Sequence, residues 1–103
     1  MKTVFKPYRV RIYAPKGMVP KEKLEALAMA AGGLTATNGG GMWVTPHGGL
    51  VSEPITILEV VHERRQLQDV EAAITDIMLH LKEQGEHSVF VEDSVRGARI
   101  VEL

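Results

Sequence analysis

The chain has 103 residues, 45% of them apolar and 24% charged, with a formal net charge of −1 and no cysteine. That length is expected to give one domain, residues 1–103, with a core large enough to fold without a metal or a staple. The absence of cysteine excludes thiol nucleophiles, thiolate metal sites and disulfides, and the balanced charge offers no broad basic surface for phosphates. Lys2, Lys6, Arg9 and Arg11, followed by Lys16, Lys21 and Lys23, are diluted by Glu22 and Glu25; they read as a solvated face, so no nucleic-acid partner is expected.

Met1–Pro7 has no apolar stretch of the signal-peptide kind, and no apolar run approaches the roughly 20 residues a bilayer crossing needs. The expectation is a cytoplasmic protein with no membrane partner. Tyr8–Tyr13 then alternates with period two. Tyr8, Val10 and Ile12 share one face and Arg9, Arg11 and Tyr13 the other, the pattern of a strand with a dry and a wet side. Pro15 and Gly17 close it. Pro20 suits the start of a helix. Leu24, Leu27, Ala28 and Ala31 continue at helical spacing, and Gly32-Gly33 offers a left-handed cap.

Seven of the ten glycines lie between Gly32 and Pro54, together with the only Trp. Leu34–Thr37 and Met42–Thr45 read as two short strand pieces, with Asn38-Gly39-Gly40-Gly41 as a turn or wide bulge between them. Pro46-His47-Gly48-Gly49 is a turn. Leu50–His62 is a long strand, expected to be interrupted or bent at Pro54, which cannot donate to a ladder. Ile55, Ile57, Leu58, Val60 and Val61 put apolar groups on both of its faces, as in a central strand. Leu67, Val70, Ile74, Ile77, Met78 and Leu81 form the stripe of a second helix that ends at Gly85. Strands are expected at Ser88–Glu92 and Arg99–Leu103, joined by a turn at Val95–Ala98.

This order, β-α-β-β-α-β with one further strand, is the ferredoxin-like split βαβ pattern of an α+β domain, with both helices on one face of an antiparallel sheet. The opposite face would be bare and partly apolar. Self-association through that face, as a homodimer or a higher homo-oligomer, is the expected cover.

Two groups of residues could carry chemistry. In the glycine-rich hairpin, Asn38, Gly41, Trp43, His47 and Glu53 offer exposed backbone N–H groups, an aromatic wall and polar ends for a ligand or protein partner. The structural alternative is a long twisted hairpin whose Trp packs over the end of the core. The segment lacks the Lys-Ser/Thr of a phosphate loop. In the long strand, Glu59 lies between Leu58 and Val60, where desolvation would raise a carboxyl into general-base range, with His62 nearby. The competing reading pairs Glu59 with Arg9 or Arg11 across the open face. His47, His62, Glu53 and Glu59 lack metal-ligand spacing, so neither a metal nor a cofactor is expected.

Gly33-Leu34-Thr35, Gly39-Gly40-Gly41-Met42-Trp43 and Gly49-Leu50-Val51-Ser52-Glu53-Pro54 together resemble an uncharacterised bacterial domain family. Its pattern is Gly-Leu-Thr, Gly-x-Gly-x-Trp, a Gly turn, then a hydrophobic pair and Glu-Pro or Glu-Ser. The resemblance implies that Gly41, Trp43 and Glu53 form a shared structural or binding feature. It implies no activity. Members are often exported lipoproteins, whereas this chain has neither an export signal nor a lipidation Cys, so location does not carry over. The leading expectation is a non-enzymatic binding or regulatory module acting through the hairpin, of the kind found among phage or plasmid accessory proteins. The alternative is a small cofactor-free enzyme of the dimeric ferredoxin-like type, with Glu59 as general base.

Overall fold

Residues 1–103 are described by a computed structural model. The strands are β1 (Tyr8–Pro15), β2 (Thr35–Val44), β3 (Leu50–His62), β4 (Ser88–Asp93) and β5 (Gly97–Glu102). The helices are α1 (Lys21–Ala31) and α2 (Leu67–Glu83), with a short 3-10 turn at Arg64–Gln66 leading into α2. The sheet order is β2-β3-β1-β4-β5, and every neighbouring pair is antiparallel. The first four strands have the ferredoxin-like order, and β5 extends the β4 edge. The fold is α+β as the sequence pattern predicts.

Local chemistry sets the element ends. Pro20 is the N-cap of α1 rather than a residue of its first turn, with ψ at 151°. Gly32 closes α1 at φ 88°, a left-handed conformation open to glycine, and its N–H donates to the Ala28 carbonyl. Before α2, Glu63 and Gln66 form a reciprocal capping box, in which the Glu63 N–H donates to Gln66 Oε1 at 2.8 Å.

Both helices pack on one face of the sheet. Ile12, Leu58 and Val91 meet Leu27 from α1 and Val70 and Ile77 from α2, all no more than 2% exposed. Each such side chain contributes about 1.5–3 kcal/mol on burial.

The expected interruption of β2 is corrected. Thr35–Val44 is one unbroken strand, and Asn38–Gly41 lie within it opposite Thr56–Glu53. Gly39, Gly40 and Gly41 have no positive φ. The thirteen-residue β3 supplies a continuous template, and ladder hydrogen bonds offset the entropic cost of the glycines. Pro54 likewise stays within β3. Its carbonyl accepts the Lys16 N–H at 3.1 Å, so the side of Pro54 that lacks a donor faces the point where β1 has ended. From Gly40↔Pro54 to Val44↔Leu50 the β2–β3 ladder has no third strand. It projects as a two-stranded arm from a molecule 52 × 24 × 22 Å in extent. No helix is long and apolar enough to cross a membrane.

Candidate functional site

Strand alternation and register assemble a polar cluster on the face away from the helices. One row across the sheet runs Thr35, Glu59, Arg11, Glu92, Ala98, and the next runs Thr37, Ile57, Tyr13, Phe90, Ile100. Arg11 Nε donates to Glu59 Oε2. The Tyr13 hydroxyl donates diagonally to Glu92 Oε1, and its ring meets Phe90 edge-on at 5.0 Å between centroids. Two carboxylates thus share a patch with one guanidinium, flanked by aromatic rings and Ile57. The hydrogen bond to Glu92, burial and the Glu92 charge raise the Tyr13 phenol above its ordinary range, although Arg11 opposes this. The hydrogen bond and charge of Glu59 raise the Arg11 guanidinium in the same way. Tyr13 therefore stays protonated, and Arg11 stays cationic.

Glu59 lies in this cluster as the ion-pair partner of Arg11, its side chain 28% exposed. His62 lies three residues on, on the opposite face of β3, and is 1% exposed. Period-two alternation separates the two, so they do not form one acid–base pair.

The hairpin residues divide in the same way. Trp43, Gly41 and Glu53 share the open-face side of the arm. Trp43 Nε1 donates to Glu53 Oε1 at 2.7 Å, and the indole folds back over Gly41. Asn38 lies on the helix side, where its Oδ1 accepts the Thr56 hydroxyl at 3.0 Å. His47 occupies the exposed turn at the tip of the arm. The arm therefore brings together Gly41, Trp43 and Glu53 but neither Asn38 nor His47. Met42, Val44, Leu50 and Val51 leave it apolar and exposed on both sides.

A cleft of about 560 Å³ opens on the helix side, between α2 and the β4–β5 edge. His62 lines it and stacks on Tyr8, with centroids 5.1 Å apart and planes 9° apart. Asp93 sits at its β4 end. Burial pushes the Asp93 carboxyl up, but the Arg96 N–H, the Arg99 guanidinium and the Val95 N–H outweigh it and hold the carboxyl below its ordinary value.

Sequence reading did not single out Tyr13, Glu92 or Asp93 as site residues. Glu92 carries the same signal as Glu59, a carboxylate beside an apolar strand segment, here Val89-Phe90-Val91. Its convergence with Tyr13 depends on the β1–β4 register, which no local pattern contains.

No family model and no curated protein matches the chain. The fold is similar to that of a phage SAM lyase in complex with S-methyl-5'-thioadenosine. The TM-score is 0.67 at 13% identity, over 100% of this chain and 95% of that one. The apo state of a phage SAM lyase gives a TM-score of 0.62 at 15% identity, with the same coverage. A Bacillus cereus protein related to NIF3 gives 0.59 at 14% identity, with 95% of this chain covering 29% of that one. The likeness to the phage SAM lyase is one of fold, and it extends over the whole of this chain.

Proposed function

We propose that this chain is a small phage-type enzyme that cleaves S-adenosylmethionine and releases S-methyl-5'-thioadenosine. It would work as a homo-oligomer whose open sheet faces close over the Arg11, Tyr13, Glu59 and Glu92 cluster. The observation that carries this reading is the fold shared over nearly the full length of both chains with a SAM lyase that holds S-methyl-5'-thioadenosine. The cluster supports it chemically. The methionine end of the substrate carries a carboxylate, an ammonium and a sulfonium. Arg11 suits the carboxylate, Glu59 and Glu92 suit the ammonium, and the Tyr13 and Phe90 rings suit the sulfonium. A flat face offers these groups without enclosing a ligand, so a second copy completes the site and excludes water.

The reaction balances within the substrate. The sulfur–carbon bond to the four-carbon fragment breaks, sulfur keeps the electron pair and becomes a neutral thioether, and the fragment's own carboxylate oxygen bonds to the released carbon. Glu59 then acts through charge and position, since Arg11 already engages it. The test incubates the purified protein with S-adenosylmethionine and measures S-methyl-5'-thioadenosine by chromatography. Release is expected, and Glu59→Gln and Glu92→Gln should each slow it by about 100-fold. A folded, self-associated protein that releases none above the buffer rate overturns the reading.

The exposed apolar arm favours a second reading, a binding or regulatory module that engages a protein partner through Trp43. Trp43→Ala should then abolish the biological effect while leaving the domain folded and any S-adenosylmethionine cleavage intact.

A further inference from the structure

The helix-side cleft lies across the sheet from the Arg11–Glu59 cluster, and neither reading above uses it. Two helices, each about 10 Å across, cover about four strands at a spacing of about 4.8 Å. A five-stranded sheet therefore leaves its β5 edge uncovered, and the cleft is the consequence. Val10, Val91 and Val101 form its floor, and Val70, Ile74 and Met78 of α2 face them. Its volume falls within the range of small-ligand sites.

Two polar features converge on this apolar space. Asp93, whose side chain is 7% exposed, accepts Arg99 Nη1 at 2.6 Å and has Arg96 Nε at 3.4 Å. One carboxylate is thus shared by two guanidiniums. The other charged residues lining the cleft are Glu71 of α2 and Arg9, whose side chain belongs to the opposite face of β1, so the excess of cation is local to the Asp93 end. His62 supplies the second feature. Its Nδ1 lies 2.9 Å from the Glu63 carbonyl oxygen, which can only accept, so Nδ1 carries the proton. Nε2 is then an acceptor and has no protein partner. His62 is 1% exposed and lines the cleft.

We propose that this cleft is a second ligand site, which takes a small amphipathic carboxylate with its apolar body between α2 and the valine floor and its anionic head at Arg99 and Arg96. Charge and shape favour this occupant together. An uncharged apolar molecule would leave the surplus guanidinium unanswered, and a simple anion would leave the floor exposed.

The test titrates the full chain with decanoate below its micelle concentration and follows the methyl resonances of Ile74, Val91 and Val101. Saturable one-to-one shifts are expected, with decanol binding at least ten-fold more weakly. Arg96→Gln, at a position whose side chain is 62% exposed, and Arg99→Gln should each weaken decanoate several-fold and leave decanol unchanged. Ile74→Trp should fill the space and remove binding by both. The proposal is overturned if the folded protein shows no saturable shift, or if decanol binds as well as decanoate. Shifts confined to Val44, Leu50 and Val51 of the arm also overturn it, because they mark adsorption there.

Discussion

At Gly41 an added methyl would stand 2.9 Å from Trp43 Cζ2 and 3.3 Å from Ile55 Cγ2. The glycine is there because the indole lies on its backbone. Gly41→Ala must displace the ring and weaken its hydrogen bond to Glu53, at a cost of about 1 kcal/mol. Trp43 is the sole tryptophan, so the variant should show red-shifted emission and a weaker near-ultraviolet dichroism band. Unchanged spectra would mean that the ring is not seated on Gly41. Asp93 gives a pH-dependent counterpart. Its carboxyl sits below its ordinary value near 3.8, so it binds protons more readily in the unfolded chain. Its contribution to stability is complete above about pH 4 and is lost as pH falls through the folded value. Asp93→Asn should destabilise the domain by about 1–3 kcal/mol at neutral pH. Denaturant titrations should show that deficit shrinking below about pH 4, and a constant deficit would refute the assignment.

Among the elements, the arm is the least self-sufficient. Its strands exchange ladder bonds with each other and with nothing else beyond Gly40↔Pro54, and isolated two-stranded hairpins are marginal in water. Amide exchange should therefore be fast in Met42–Val51 and slow in β1 and the centre of β3 for the isolated chain. Slow exchange throughout the arm would show that something covers it. The glycine cluster reads in the sequence as a hairpin, and Pro46–Gly49 forms the turn between β2 and β3. The supposed break at Asn38–Gly41 was not real. Glycine marks permission to adopt unusual backbone angles, and its neighbours decide whether that permission is used. Here β3 held the segment extended.

For the whole molecule, both helices lie on one face of the sheet and leave the other open. Ile57, Val61, Phe90 and Ile100 lie on it around the charged cluster, and Ile100 is 68% exposed. A face of this kind suits association between copies. Sedimentation equilibrium should give a mass at least twice the 11.3 kDa of one chain. Phe90→Glu should shift it toward the monomer and, on the proposed reading, remove activity with it. A monomer at high protein concentration would separate the cluster from any shared site.

The chain's periodicities determined β1, β3, both helices and the order of the elements, though not the continuity of β2, because alternation and helical stripes are local consequences of burial. They put Glu59 and His62 on opposite faces of β3 but left open which of those faces Arg11 shares. Tertiary structure alone decided the rest. Register set Tyr13 against Glu92 and Arg11 against Glu59. The end of β1 at Pro15 made the distal hairpin an arm, and the uncovered fifth strand opened the cleft. These features depend on which residues distant in sequence become neighbours, and that is settled by packing the sheet as a whole.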